Sequence, residues 1–273
     1  MSAAPAARIA ALAMYDWPEV QSANYALWAF IAGWLGSAGI EAPASLDRTL
    51  RYSEPWFSPN LLLAQTCGYP FVATLRGKVR LVGTACYDVP GCEGADYSSV
   101  IITNRGSKIA SLADLGNASA AINTEDSQSG HWALRAAIAV APGAVPPKRA
   151  ILSGGHRLSL RRVAAGTADV AAIDAVCWAL AERHEPLAHA AVRVIARSPS
   201  SPGLPLITAL GSSDATLAAL RSAMAAAVTA PELQMARRAI FLKGFEVLPE
   251  SAYDRVLELK DRSLAHGFPA LEA

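Results

Sequence analysis

The sequence carries little charge for its length. Charged residues make up 17% of the 273 residues, and 24 basic against 23 acidic side chains give a net charge of +1. A chain without excess basic charge creates no bulk field for a polyanion, which argues against a nucleic-acid partner. Apolar residues make up 52% of the chain, which excludes intrinsic disorder and suffices for a buried core.

Cysteine is also scarce. Cys67, Cys86, Cys92 and Cys177 form no CxxC pair, and the five histidines do not supply the closely spaced ligands of a structural zinc site. We therefore expect no metal. Cys86 and Cys92 flank a Pro-Gly turn, so they either form a small disulfide in an exported protein or remain buried thiols.

Three catalytic or nucleotide-binding motifs are missing. The sequence has no GxGxxG fingerprint, no phosphate-binding P-loop and no GxSxG nucleophile elbow. Cys67 has no nearby partner that would activate its thiol. We therefore expect neither a cofactor nor covalent catalysis.

No segment is typical of a membrane span or of an export signal. Residues 20–40 lack charge, but polar side chains and three glycines interrupt them, and their apolar residues follow the spacing of an amphipathic helix. The apolar run Ile9–Met14 is too short for the core of a signal peptide. We expect no membrane insertion, a periplasmic location if a signal peptide has been removed or replaced, and a cytoplasmic one if Met1 is the native start.

Strand and helix signals alternate in two series, which predicts an α/β fold with two lobes. Each lobe is expected to be a mostly parallel sheet flanked by helices, because short apolar runs bounded by Gly and Pro are typical of strands covered on both faces. No linker separates the two series. Lobe I should contain residues 1–100 and 204–273, lobe II residues 101–203, with strands near 98–104 and 196–206 crossing between them.

The predicted elements follow this alternation. The expected strands are 8–14, 48–52, 60–66, 79–85, 97–103, 118–123, 149–153, 170–173 and 192–196. The expected helices are 19–37, 131–140, 156–165, 175–184, 215–230, 231–242 and 251–266, with a helical turn at 112–115.

A polar loop between a predicted strand and a predicted helix is the strongest candidate binding site. Ser127, Gln128, Ser129, Gly130 and His131 stand where the free N–H groups of a helix start favour an oxyanion. Glycine there lets a ligand approach the backbone. The alternative is a plain helix N-cap, which would explain the same residues without any ligand.

Other candidate residues stand at the ends of neighbouring predicted strands, the edge where open α/β sheets bind ligands. In the second series these are His156, at a helix start, and Asp174, which could instead cap the next helix. In the first series they are Tyr15, Thr66, Tyr69 and Tyr87, whose aromatic rings could equally be core.

Several of these segments resemble the solute-binding proteins of phosphate, phosphite and phosphonate ABC importers, a branch of the type 2 periplasmic-binding-protein fold. The resemblance covers most of residues 8–210, and the residues that carry it are Gln65-Thr66-Cys67-Gly68-Tyr69-Pro70, Ser111–Leu115, Asp126-Ser127-Gln128-Ser129-Gly130, Ser153-Gly154-Gly155-His156 and Gly166–Asp174.

The resemblance implies a protein that closes a cleft on a small, oxyanion-bearing solute without catalysing a reaction. The hydroxyl-rich loop at Ser127–Ser129 would hold the anionic group, and residues near Asp174 and Tyr87 would meet the rest of the solute. The implied partners are this solute and an ABC permease, and the protein is expected to be a monomer. The alternative is a cytosolic sensor on the same fold, or an enzyme using His156 or His131 as acid–base.

Overall fold

The structure, a computed structural model, describes residues 7–272, so the first six residues and Ala273 lie outside the described residues. In chain order the strands are β1 (Ile9–Ala11), β2 (Leu61–Gln65), β3 (Val79–Tyr87), β4 (Cys92–Glu93), β5 (Asp96–Tyr97), β6 (Ser99–Asn104), β7 (Ser119–Ile122), β8 (Arg149–Leu152), β9 (Val170–Asp174), β10 (Val192–Arg197), β11 (Ser201–Pro202), β12 (Pro205–Ala209), β13 (Leu242–Glu246) and β14 (Leu271–Glu272).

In chain order the α-helices are α1 (Gln21–Ser37), α2 (Gly68–Pro70), α3 (Ala133–Val140), α4 (His156–Ala164), α5 (Ala175–His184), α6 (Pro186–Ala190), α7 (Asp214–Ala227), α8 (Gln234–Ala239) and α9 (Asp254–Leu264). A π-helical turn, Gln128–Trp132, continues directly into α3. Among the residues that the structure describes, no helix is both long and apolar enough to cross a membrane.

The chain divides into two compact units. Unit 1 contains the chain up to Asp88 together with Gly203–Glu250, and unit 2 contains Val89–Pro202 and the chain from Ser251 onward. Each unit has its own sheets, so the two predicted series do not form one continuous sheet.

This division differs from the expected lobes in residues 89–100 and 251–272, which group with unit 2, and in Gly203, which groups with unit 1. The first contains β4 and β5, and β5 pairs with β11, while α9 packs against α3 and β11. The strand β6, expected to cross between lobes, therefore lies wholly within unit 2, whereas the second expected crossing, 196–206, includes the actual change of unit after Pro202.

Unit 1 is built on a five-stranded sheet in the order β1-β2-β12-β3-β13. Only β1 and β2 pair in parallel; β12 is antiparallel to β2 and β3, and β13 is antiparallel to β3. The sheet thus differs from the mostly parallel one expected for this lobe. The antiparallel strands β12 and β13 were not predicted: the expected elements leave residues 205–209 and 243–246 unassigned, and the predicted helix 231–242 ends where β13 begins.

The predicted strand at 48–52 is wrong, because this segment is a turn. The carboxylate of Asp47 accepts hydrogen bonds from the N–H groups of Thr49 and Leu50, at 2.8 and 3.1 Å. Such a local side-chain contact competes with strand pairing.

Unit 2 contains a six-stranded sheet in the order β10-β6-β9-β7-β8-β14 and a small sheet in the order β11-β5-β4. The pairs β9–β7, β7–β8 and β8–β14 are parallel, whereas β10–β6 and β6–β9 are antiparallel. The sheet is therefore mostly parallel, as expected for this lobe, although β14 was not among the predicted strands. Ile101, Ile122 and Leu134 are fully buried in its core. The carboxyl ends of β7, β8 and β9 therefore lie side by side, and each is followed by a helix start.

None of the four cysteines is in a disulfide. The thiol of Cys86 donates to the Glu246 carboxylate at 3.5 Å, and burial, with the nearby carboxylate, raises the pKa of this thiol to about 12. Of the two alternatives for Cys86 and Cys92, the structure has the separate thiols.

Glycine in strand β3 allows a close approach that alanine would prevent. A Cβ at Gly83 would clash with the ring of Phe245 and lie 2.7 Å from the Glu246 carbonyl oxygen. We expect Gly83→Ala to lower the free energy of unfolding by about 1–3 kcal/mol, as overpacking does. Urea unfolding measures the change.

Gly33, on the exposed face of α1, is the matched control, because a Cβ there would meet no atom within 4 Å. Gly33→Ala should raise the free energy of unfolding by about 0.5–1 kcal/mol through helix propensity. Equal effects of the two substitutions would contradict the packing argument.

Candidate functional site

The first turn of the helix that follows β7 carries the predicted polar loop. Ser127 is the N-cap, and its hydroxyl accepts a hydrogen bond from the Gly130 N–H at 2.9 Å. The N–H groups of His131 and Trp132 donate to the Ser127 carbonyl oxygen, both at 3.1 Å. In a helix start of this kind, the N–H groups of Gln128 and Ser129 have no acceptor within the helix.

Ser129 and His156 come together from two different helix starts. The hydroxyl oxygen of Ser129 lies 2.7 Å from Nε2 of His156, the first residue of α4. Nδ1 of His156 accepts from the N–H of Asp174, at the end of β9, at 3.4 Å. Three predicted site residues from separate βα junctions are therefore in direct contact.

Burial controls the charge of His156. Desolvation lowers the pKa of its imidazole to about 3, against a weaker opposing effect of a hydrogen bond with the Ala172 backbone. The ring is therefore neutral at neutral pH. A neutral imidazole offers one N–H donor and one lone pair, so it can hold the Ser129 hydroxyl without adding a charge.

Asp174 is almost fully buried and caps α5. Its Oδ1 accepts hydrogen bonds from the N–H groups of Val176 and Cys177, at 2.7 and 3.1 Å. The simpler of the two sequence interpretations, a helix cap, accounts for this oxygen.

His131 has different neighbours from Ser129. Its Nδ1–H donates to the Glu125 carbonyl oxygen at 2.7 Å, and its ring stacks on Trp132 with centroids 4.7 Å apart. The ring also lies 5.4 Å from that of Phe268. Burial, and to a smaller extent Arg135, lower the pKa of His131.

A buried polar layer beneath the turn was missed by the sequence analysis. The Ser159 hydroxyl donates to Oδ1 of Asn123 at 3.1 Å and lies 2.6 Å from the Ser153 hydroxyl, while the Gly154 N–H donates to the Asn123 carbonyl at 2.8 Å. The available signal was a polar residue, Asn123, directly after an apolar strand. This layer joins the ends of β7 and β8 to α4.

Gly130 is required by this layer, which is a reason the sequence analysis did not consider. A Cβ at Gly130 would lie only 2.5 Å from Cγ and 2.6 Å from Oδ1 of Asn123. The glycine thus lets the turn pack directly on a buried amide.

In unit 1, the predicted residues at the strand ends form two groups. Tyr15 and Tyr87 are in edge-to-face contact with centroids 5.2 Å apart, and Nε2 of Gln65 donates to the Tyr87 hydroxyl at 3.2 Å. These three residues line a small cavity. Thr66 is fully buried and Tyr69 half-buried at the junction of β2 and α2, and neither lines that cavity.

Gly130→Ala tests the packing of the turn. We expect it to lower the free energy of unfolding by about 1–3 kcal/mol, because the new methyl group overlaps Asn123. In an Asn123→Ala background the same change should cost less, since the overlapping atoms are gone. A double-mutant cycle by urea unfolding measures the difference, and strictly additive effects would refute the contact.

Lowered histidine pKa values predict acid sensitivity. Because the folded state holds His156 neutral to a pKa of about 3, whereas unfolded histidine has a pKa near 6.5, the unfolded state binds more protons between these values. His156 therefore leaves the free energy of unfolding independent of pH above about 6.5, and lowers it as the pH falls from there towards 3. His131 contributes in the same direction.

We expect His156→Gln to reduce this loss of stability between pH 7.5 and 5, measured by urea unfolding at both values. His266→Gln, at an exposed histidine, serves as the control and should leave the slope unchanged. An unchanged slope in His156→Gln would contradict the assignment.

Comparisons with known proteins agree with this architecture. A family model described as "ABC transporter, phosphonate, periplasmic substrate-binding protein" matches residues 63–253, more than half of the chain. The chain matches none of the curated proteins.

Solved structures with the same fold cover almost the whole chain. PhnD1 from Prochlorococcus marinus, in complex with methylphosphonate, has a TM-score of 0.74 at 16% identity and covers 96% of this chain and 98% of its own. A binding protein component of an ABC phosphonate transporter from Pseudomonas aeruginosa has a TM-score of 0.72 at 20% identity, with 96% and 88% covered. A Xanthomonas citri protein bound to ATP has a TM-score of 0.68 at 17% identity, with 95% and 97% covered.

The TM-scores show that the chain shares the fold of these proteins, and the family match shows the class of protein. The chain belongs to the family of periplasmic substrate-binding proteins of phosphonate ABC transporters, and it is a solute-binding protein.

Proposed function

We propose that the turn from Ser127 to His131 binds the anionic group of a small phosphonate- or phosphate-like solute. The observation that carries the proposal is the 2.7 Å contact between Ser129 Oγ and His156 Nε2 at the first turn of a helix. Two N–H groups without an intrahelical acceptor stand beside this hydroxyl, and a helix start favours negative charge.

The tautomer of His156 determines where the serine proton goes. When Nδ1 accepts from the Asp174 N–H, the neutral ring carries its proton on Nε2 and donates it to Ser129, and the Ser129 hydroxyl proton is available to an anion. When Nδ1–H instead donates to the Ala172 backbone, Ser129 donates to Nε2. The proposal requires the first tautomer. His156 is in this way a positioning residue for Ser129.

Neutral donors suffice for the affinity of a solute-binding protein. A micromolar complex needs about 8 kcal/mol. Hydrogen bonds to a charged group contribute about 1.5–3 kcal/mol each. The Ser129 hydroxyl and the N–H groups of Gln128 and Ser129 would together supply most of this binding free energy.

The two serines of the turn have different roles in this proposal. The hydroxyl of Ser127 already accepts the Gly130 N–H and holds the turn in shape, whereas that of Ser129 meets only a side chain from another helix start. We assign the anion contact to Ser129 and a positioning role to Ser127.

In unit 1, we propose that Tyr15 and Tyr87, which line the small cavity, are solute-contacting residues, with Gln65 fixing the Tyr87 hydroxyl. Thr66 and Tyr69, at the next strand end, keep their proposed roles as further contacts. The family further supports a periplasmic location and an ABC permease as partner. We propose in addition that the protein is a monomer.

Binding without a chemical step is favoured over catalysis. An effective general base has a pKa near the working pH. Burial lowers the pKa of His156 to about 3, so its lone pair is a poor base for activating Ser129.

Methylphosphonate and inorganic phosphate are the probes for this site. By titration calorimetry at neutral pH, we expect Ser129→Ala to weaken binding of the better probe about tenfold or more, since about 1.4 kcal/mol corresponds to a factor of ten. His156→Gln should also weaken binding, because Ser129 loses its positioning partner.

Ser127→Ala serves to separate the anion contact from the helix cap. It should lower the free energy of unfolding by about 0.5–2 kcal/mol through the lost cap. Ser129→Ala should lower it by about 1–3 kcal/mol for a different reason, because Nε2 of the desolvated His156 loses its partner. If Ser129→Ala binds methylphosphonate and phosphate like the parent protein, the turn is only a helix cap and the proposal fails.

A further inference from the structure

A half-buried arginine in unit 2 has no acceptor for its guanidinium group. Arg135, in α3, makes no hydrogen bond and no ion pair with any residue between 7 and 272. Its Nε is buried without a hydrogen-bond partner. Burial is the one effect that shifts the pKa of Arg135, which it lowers, and no carboxylate opposes it.

Aromatic rings hold this guanidinium in place. Its central carbon lies 4.9 Å from the ring centroid of Trp132 and 5.0 Å from that of Phe268. The ammonium group of Lys260 lies 5.6 Å from the same Trp132 ring. Two cations therefore share one indole, an arrangement that concentrates positive charge at a preformed position.

His131 adds a second unsatisfied polar atom to this group of residues. It is 4% exposed, and its Nε2 is buried without a hydrogen-bond partner. Because Nδ1–H donates to the Glu125 carbonyl, Nε2 carries the lone pair. We call His131, Trp132, Arg135, Lys260 and Phe268 the Arg135 cluster.

We propose that the Arg135 cluster is a second anion site that takes a small oxyanion such as phosphate or a carboxylate. It shares His131 with the turn at Ser127–His131 but uses neither the Ser129 hydroxyl nor His156. A guanidinium fork matches two oxygens of either group, and stacking on aromatic rings pre-orders it for that contact. The hydroxyl of a protonated phosphate would satisfy the lone pair of His131, whereas a carboxylate, which has no hydroxyl, would contact the guanidinium alone.

The test follows the indole N–H signal of Trp132 by NMR, assigned with Trp132→Phe, during titration with inorganic phosphate and, in parallel, with acetate. Potassium chloride at the same ionic strength controls for screening. We expect a saturable shift in the parent protein. A tighter response to phosphate identifies the ligand as phosphoryl, and a tighter response to acetate identifies it as a carboxylate.

Arg135→Gln should weaken the response at least tenfold, and Arg135→Lys should weaken it less, because lysine keeps the charge without the planar fork. Arg262→Gln removes an equal charge from an exposed position of α9 and should respond like the parent. No saturable shift in the parent, or equal loss in Arg135→Gln and Arg262→Gln, would overturn the proposal.

Ser129→Ala distinguishes this site from the proposed solute site. It should retain the Trp132 response, and Arg135→Gln should retain binding of methylphosphonate in calorimetry. If the Trp132 response disappears with Ser129→Ala, the signal reports the first site and the Arg135 cluster binds no anion of its own.

Discussion

The close packing of the Gly130 backbone on the side chain of Asn123 is the contact on which the site in unit 2 depends. It fixes the distance between the helix start and the end of β7. The hydroxyls of Ser159, in α4, and Ser153, at the end of β8, extend the same hydrogen-bonded layer. Since a buried amide is costly unless its hydrogen bonds are made, this layer resists displacement. Ser129 and His156 meet because both of their helix starts are attached to it.

The sequence predicted the parallel part of unit 2 well, because each strand there is a short apolar run followed by a polar loop and an amphipathic helix. The β7, β8 and β9 junctions lie where the alternation placed them, so the residues at those junctions could be predicted to share an edge. Unit 1 was harder. Its strands β12 and β13 join the sheet from distant parts of the chain, and no local pattern encodes such pairing.

Within the site, the sequence could identify the turn but not the task of each side chain. Ser127 and Ser129 cannot be told apart from the sequence. The structure shows that the Ser127 hydroxyl accepts the Gly130 N–H, whereas the Ser129 hydroxyl contacts His156. Likewise Gly130 suggested room for a ligand, whereas its neighbour is Asn123. Contacts between side chains of separate elements decide these roles, and periodicity carries no information about them.

Charge is distributed unevenly along this one helical segment. Its first turn presents a hydroxyl and N–H groups beside a neutral imidazole, whereas the guanidinium of Arg135 stacks on aromatic rings further along. Neutral donors act only at hydrogen-bond distance and in fixed directions, so at the proposed site affinity depends on how well the oxygens of the solute fit them. An arginine there would attract any anion through its long-range field. Because the donors at the first turn are neutral, recognition at the proposed site depends on shape and oxygen geometry, while the charge of Arg135, one turn along, acts on His131.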